Sequence, residues 1–130
     1  MALTPDEMRD AVDRYYSARN SMDSAASTAC FTDDATVYDP YGSTPVEGAV
    51  AIREFFDGLE HFFRDFKVVA ESIYTSGNRA AVVFRRTGVG KNGKSLTVGG
   101  VHVFEFNYAG KICNLWSYWD AAAVLADLKG

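Results

Sequence analysis

Three polar residues in this chain have the chemistry needed to move protons. His102 lies among valines and phenylalanines in "SLTVGGVHVFEF", residues 95–106. Asp39 stands before Pro40 in "DDATVYDPYG", and Tyr15 lies on the apolar side of the first predicted helix. An imidazole, a carboxylate and a phenol can act as general acids, as general bases or as donors to an oxyanion.

Each of the three residues also has an ordinary structural explanation. A single histidine on an apolar strand is commonly a core residue whose ring meets a backbone carbonyl or a buried hydroxyl. Burial would lower the pKa of His102 and keep the ring neutral, with one N–H donor and one acceptor nitrogen. Asp-Pro pairs open turns, which would explain Asp39. A tyrosine on a helix, such as Tyr15, usually packs in the core with its hydroxyl at the rim.

Composition limits the function classes. The chain has 130 residues, of which 48% are hydrophobic and 23% charged, so we expect a single globular domain over 1–130. The net charge of -4, with scattered Lys and Arg, predicts no nucleic-acid partner. No apolar run approaches the roughly 18 residues that span a bilayer, and "MALTPDEMRD" lacks a signal-peptide pattern. We therefore expect a cytoplasmic protein with no membrane contact.

Helical patterns dominate the first half of the chain. "TPDE" near the start predicts a helix N-terminus, because the threonine can cap, the proline suits the first turn and the glutamate can complete a capping box. Apolar residues then recur at helical spacing from Met8 to Met22. The other elements predicted in this half are a helix over 23–30, a strand over 35–38 ending in the turn "DPYG", and a helix over 49–61.

Strand patterns dominate the second half, where "SGN", "KNGK" and "NYAG" are turn signals. The predicted elements are strands over 66–75, 79–90, 95–106 and 111–119, followed by a helical segment over 120–128. Short connections make consecutive strands antiparallel neighbours. Helices followed by a meander predict an α+β fold with the helices on one face of the sheet.

Alternation along residues 95–106 puts His102 on the same face as Phe104 and Phe106. The opposite face also carries valines, and the next strand has apolar residues on both sides. A sheet with one solvated face would not show this pattern. We therefore expect the C-terminal segment or a second subunit to cover the outer face, and we favour a homodimer.

Taken together, five segments resemble the bacterial ketosteroid isomerases. They are "DDATVYDPYGSTPVEG", "AIREFF" after it, "RYY" upstream, "VHVFEF" downstream and "YWD" near the end. That family belongs to the nuclear transport factor 2-like superfamily, which also contains the SnoaL-type polyketide cyclases. The resemblance runs from about Met8 to Trp119. It implies a cystatin-like α+β cone, in which a curved and mostly antiparallel sheet wraps around three N-terminal helices and leaves a deep apolar pocket.

The resemblance also implies residue roles. Asp39 matches the base that takes a proton from the carbon next to a carbonyl and returns it to a different carbon. Tyr15 matches one oxyanion donor. His102 stands where the family has its second donor, a carboxylic acid kept neutral by its apolar site. The implied substrate is an apolar, carbonyl-bearing small molecule such as a steroid or polyketide, with no cofactor and no metal.

The sequence departs from the isomerase pattern at other positions too. Phe31 and Phe56 stand where the isomerases have tyrosines that support the oxyanion tyrosine. Arg85 and its neighbour must face opposite sides of their strand, and the family register turns Arg85 toward the cavity. An internal Arg85 would need Asp39, another acid or an anionic ligand as its partner, whereas a solvated Arg85 would need none.

Register and alternation predict the substrate-binding walls, which are Val37, Phe55, Phe56, Val83, Arg85, Val98, Phe104, Leu115 and Trp119. Three functions stay open. The first is an isomerase with Asp39 as base and Tyr15 and His102 as oxyanion donors. The second is a SnoaL-like cyclase or dehydratase in which His102 acts as acid or base. The third is a non-catalytic domain that binds a small molecule in the same cone.

Overall fold

The computed structural model describes residues 3–124. In chain order its elements are α1 (Pro5–Asn20), α2 (Ser24–Ala29), β1 (Phe31–Tyr38), β2 (Val46–Glu47), α3 (Ala49–Phe62), β3 (Phe63–Ser76), β4 (Arg79–Gly90), β5 (Ser95–Phe106) and β6 (Ile112–Tyr118). Residues 121–124 are also helical, and the rest of the predicted segment 120–128 lies outside the described residues. No helix among the described residues is long and apolar enough to cross a membrane.

The first helix begins as its sequence predicts. The Thr4 hydroxyl accepts a hydrogen bond from the Glu7 backbone N–H (3.1 Å), and the Glu7 carboxylate accepts one from the Thr4 N–H (2.9 Å). This reciprocal capping box fixes the N-terminus of α1. Tyr15 and Tyr16 are both buried although they are adjacent, since the apolar side of α1 is wide enough to take neighbouring positions.

The six strands form one curved sheet in the order β2-β1-β6-β5-β4-β3. Strands β3 to β6 are the predicted antiparallel meander. β1 begins at Phe31, four residues earlier than its pattern predicts, and the short strand β2 was not predicted. The α+β prediction, with a mostly antiparallel sheet wrapped around the helices, is confirmed. The core lies between the helices and the inner face of the sheet.

One pairing is parallel, and it organises the site. β1 runs parallel to β6, with Val37 beside Leu115. Parallel strands end at the same edge of a sheet, so Asp39, just after β1, comes next to Trp119, just after β6. The antiparallel partner of β6 then places His102 opposite Ser117 at this same end.

Candidate functional site

Two adjoining spaces lie between the helices and the inner face of the sheet. The outer cavity has a volume of about 300 Å³ and is lined mainly by apolar side chains, among them Phe55, Phe62, Phe63, Leu96 and Trp119. The inner chamber is much smaller, about 20 Å³. Besides apolar side chains it is bordered by six residues that carry polar groups, which are Tyr15, Tyr16, Arg19, Asp39, Arg86 and His102. Four residues border both spaces and so mark where the two adjoin, and they are Asp39, Leu59, Phe66 and Arg86.

Asp39 is a half-buried carboxylate held from one side. The Trp119 indole N–H donates a hydrogen bond to its Oδ1 at 2.6 Å. The turn after Asp39 is tied to β6, because the Tyr41 N–H donates to the Ser117 carbonyl at 2.7 Å. A carboxylate has several acceptor positions, so the bond from Trp119 orients Asp39 and leaves its second oxygen free to accept a proton.

His102 is buried and neutral. Its Nδ1 lies 2.7 Å from the Tyr16 hydroxyl. Burial lowers the pKa of His102 to about 3 and raises the pKa of Tyr16 above its ordinary value, so both groups keep their neutral forms. The Tyr16 hydroxyl has no other acceptor within residues 3–124, and it therefore donates to Nδ1. The ring hydrogen then belongs on Nε2, where His102 is a donor.

The His102 ring lies on a flat apolar support. It stacks on Phe84 with the ring centroids 4.0 Å apart and the planes 15° from parallel. Phe84 pairs with Gly100 on β5. A Cβ atom added to Gly100 would collide with the backbone carbonyl oxygen of Tyr118 on β6 and would also come within 2.9 Å of the Phe84 ring. A glycine is therefore required at position 100 because β6 approaches it closely, and it also leaves room for the Phe84 ring beneath His102.

Tyr15 is a buried phenol at the wall of the inner chamber. Its ring packs edge-on against Phe31 (5.4 Å) and Phe104 (5.7 Å), and lies 6.1 Å from Phe56. Burial raises the pKa of Tyr15 above its ordinary value, so the hydroxyl stays protonated and can donate. Within residues 3–124 no side chain accepts from this hydroxyl. Phe31 and Phe56 surround it with apolar rings.

The arginine that faces the site is Arg86. Val82 and Phe84 on the same face of β4 are fully buried, whereas Val83 is 38% exposed and Arg85 forms an exposed ion pair with Glu71 at 3.2 Å. The predictions that Arg85 and Val83 line the cavity were therefore wrong. A shift of one residue along a strand exchanges its two faces, and the register taken from the resemblance was off by that one residue.

The other predicted wall residues divide into two groups. Phe55, Phe56 and Trp119 border the outer cavity or the inner chamber. The remainder are buried in the core without bordering either space, and they are Val37, Val98, Phe104 and Leu115. The sequence reasoning missed Tyr16 and Arg86 as site residues. Tyr16 carried a signal, since it lies four residues after the apolar Val12 and so on the buried side of α1.

The chemistry available at the inner chamber is acid–base chemistry. The residues that border it include one carboxylic acid, Asp39, the neutral Tyr15 and His102, and the half-buried cation of Arg86. Residues 3–124 contain no group of three His, Cys, Asp or Glu side chains that could hold a metal ion.

Known proteins resemble this chain along most of its length. A family model described as SnoaL-like domain matches residues 12–115. The chain is 30% identical over 113 residues to a steroid Delta-isomerase of Nocardioides simplex, covering 87% of this chain and 89% of the relative. The solved structure of SalBIII, described as an epoxide hydrolase/cyclase-like enzyme in pyran ring formation in polyether salinomycin, superposes with a TM-score of 0.83. It is 24% identical, covering 90% of this chain and 93% of SalBIII. The crystal structure of RV0760c from Mycobacterium tuberculosis superposes with a TM-score of 0.82 at 23% identity, covering 92% and 96%.

Proposed function

Because the chain belongs to the SnoaL-like domain family of the nuclear transport factor 2-like superfamily, we propose that it is an enzyme that shifts a proton next to a carbonyl group. The observation that carries this proposal is the inner chamber. There, a carboxylate from the end of β1 and two neutral donors, one from α1 and one from β5, border one space of about 20 Å³.

In the proposed reaction the substrate carbonyl enters the inner chamber. Asp39 takes a proton from the carbon next to the carbonyl, and the C–H electron pair becomes the π bond of an enolate. The Tyr15 hydroxyl and the His102 Nε2–H donate to the enolate oxygen. Asp39 then returns the proton to a different carbon, so the double bond moves and no atom is gained or lost. Oxyanion donors of this kind contribute roughly 3–4 kcal/mol each in acyl-transfer enzymes.

His102 is suited to donating a hydrogen bond rather than a full proton. A general acid must carry a transferable proton at the working pH. With its pKa lowered to about 3 by burial, His102 is not an imidazolium near neutrality. The Tyr16 hydroxyl occupies Nδ1, the nitrogen that a base would use. Both points favour the isomerase over the cyclase or dehydratase, in which His102 acts as acid or base and which has the SnoaL-like family match as its support.

The proposed substrate is a steroid or polyketide-like carbonyl compound. The outer cavity, at about 300 Å³, is mostly apolar, and sites for small molecules combine such walls with a few converging polar groups. The similarity to a steroid Delta-isomerase supports the same substrate class.

The test is an assay of deuterium exchange and double-bond migration on a panel of unconjugated enones. Asp39→Asn should reduce the rate by roughly 10²–10⁴-fold, the usual contribution of a positioned base. Asp33→Asn is the matched control, because Asp33 is an exposed acid on the same strand. Full activity in Asp39→Asn would disprove the proposed base, and binding without any exchange in the wild type would favour a non-catalytic binding domain.

A homodimer is the second part of the proposal, and it rests on the outer face of the sheet. Val83 and Tyr118 are exposed there, and Tyr38 stacks on Trp116 with the ring centroids 6.0 Å apart. Apolar rings on an exposed sheet face support contact with a second copy. Tyr118→Asp should convert the dimer to a monomer in sedimentation velocity, whereas Tyr108→Asp, at an exposed turn, should not. A monomeric wild type at micromolar concentration would overturn this part.

A further inference from the structure

Arg86 is a half-buried cation that forms no ion pair within residues 3–124. Its Nε is buried and has no hydrogen-bond partner. Within the described part of the chain no carboxylate lies within 4.0 Å of its guanidinium, although six other arginines form ion pairs there. Arg19 shows the contrast, because it is the more deeply buried of the two, with 3% of its surface exposed, and it is paired with Glu60 at 3.1 Å and bonded to Ser27.

Aromatic rings hold Arg86 in position without neutralising it. The guanidinium carbon lies 5.0 Å from the Trp119 ring centroid, 5.7 Å from that of Phe84 and 6.0 Å from that of Phe66. Such contacts offset only part of the cost of removing a charge from water. A buried charge is retained at a cost to stability unless something else pairs with it. Burial lowers the pKa of Arg86, and the Asp39 carboxylate opposes this only partly, since it does not lie within 4.0 Å of the guanidinium. An anion in direct contact with Arg86 would complete its environment.

The position of Arg86 indicates that this anion belongs to the ligand. Arg86 borders both the outer cavity and the inner chamber. Its guanidinium and the His102 ring both lie against the Phe84 ring, 5.7 Å and 4.0 Å from its centroid. A group bound by Arg86 and a carbonyl bound by His102 are thus close enough to belong to one small molecule.

We infer that the substrate carries a carboxylate that Arg86 binds, so that the reaction proposed above acts on an apolar oxo acid. This inference rests on the proposed function and narrows it. The planar guanidinium can hold a carboxylate through two parallel hydrogen bonds. Arg86 also offsets the repulsion that Asp39 would exert on a negatively charged substrate. A neutral ketone of the same shape would leave the half-buried cation unpaired and would bind less tightly.

Calorimetric titration of the full chain with naphthalene-2-carboxylate and naphthalene-2-carboxamide at pH 7 tests this. The two probes have nearly the same shape and differ in charge. The wild type should bind the carboxylate at least about tenfold more tightly, as expected for a charged hydrogen bond. Arg86→Met should remove that preference, whereas Arg86→Lys should keep part of it, because lysine retains the charge without the planar fork. Arg85→Met is the matched control and should leave the preference unchanged, since Arg85 faces outward.

The Arg86→Met chain should fold, because a methionine of similar length replaces an unpaired charge in an apolar setting. Its melting temperature without ligand should equal or exceed that of the wild type. A fall in melting temperature would show that Arg86 is already paired within the protein, and would overturn the inference.

Other outcomes also decide the question. Equal affinity for the two probes, no saturable binding of either at millimolar concentration, or a preference that survives Arg86→Met would each overturn the inference. The wild type could show no carboxylate preference while Arg86→Met loses turnover of neutral ketones. That result would overturn the inference and would show that Arg86 stabilises the negative charge of the enolate instead. The proposed function can fail on its own. It fails when deuterium exchange is unchanged in Asp39→Asn, even if the preference for the carboxylate probe is lost in Arg86→Met.

Discussion

Acid should destabilise this protein through His102, and the size of the effect can be worked out. In the unfolded chain the histidine titrates with a pKa near 6.5, whereas burial lowers the pKa of His102 in the folded protein to about 3. Between these values the unfolded state binds a proton that the folded state cannot bind. Stability is therefore fully present above about pH 6.5 and falls as the pH drops toward 3. The loss approaches about 1.4 kcal/mol per pH unit, which gives about 2 kcal/mol between pH 7 and pH 5.

The assay is urea unfolding at several pH values between 7 and 4.5, on the wild type and on His102→Gln. Glutamine keeps an acceptor for the Tyr16 hydroxyl and carries no titrating group. Subtracting the stability of His102→Gln from that of the wild type at each pH removes the contribution of the carboxylates. The free energy of unfolding of the wild type, relative to that of the variant, should fall by about 2 kcal/mol between pH 7 and pH 5. His61→Gln, the same substitution at an exposed histidine, is the control. Parallel profiles for the wild type and His102→Gln would refute the claim that His102 is buried and neutral.

Two further substitutions test the parts that support His102. Tyr16→Phe removes the hydrogen bond to Nδ1 and should cost about 1–3 kcal/mol in urea unfolding, because a buried acceptor loses its partner. It should also lower kcat more than it raises KM, since the Nε2–H tautomer is no longer fixed; a change confined to stability would contradict the positioning role. Gly100→Ala should cost about 1–3 kcal/mol by forcing apart the Tyr118 backbone carbonyl and the Phe84 ring. Gly58→Ala, with open space around it on α3, should be neutral or stabilising, and equal effects of the two alanines would refute the packing argument.

The elements themselves follow from local sequence. The capping box at Thr4, the turn signals and the alternation along β5 each depend on residues a few positions apart. The apolar spacing therefore predicted α1, α3 and the meander to within a few residues. It also placed His102 on the inner face with Phe104, where the structure has them.

Local sequence patterns did not predict the strand β2 or the pairing of β1 with β6. β2 is only two residues long, so it offers no alternation to detect. The pairing of β1 with β6 joins segments about 80 positions apart. No local signal encodes that contact, and it is the contact that brings Asp39 to Trp119.

The faces of β4 show how a small error changes a functional conclusion. "RAAVVFRR" alternates correctly whichever set is taken as internal, because both sets contain valine. Only the packing of Phe84 under His102 decides that Arg86 points inward and Arg85 outward. The need for an anionic partner, which the sequence assigned to an internal Arg85, therefore applies to Arg86.

By itself, the sequence determined the fold class and the residues capable of acid–base chemistry, because these depend on short-range periodicity and on residue type. The family followed from the resemblance of several segments to known proteins. The tertiary structure decided which of those residues meet. It paired Tyr16 with His102, bound Trp119 to Asp39 and left Arg86 without a carboxylate within ion-pair distance in residues 3–124. The protonation state and tautomer of His102 follow from burial and from one hydrogen bond across 86 positions of sequence. Both are properties of packing, and no stretch of the chain contains them.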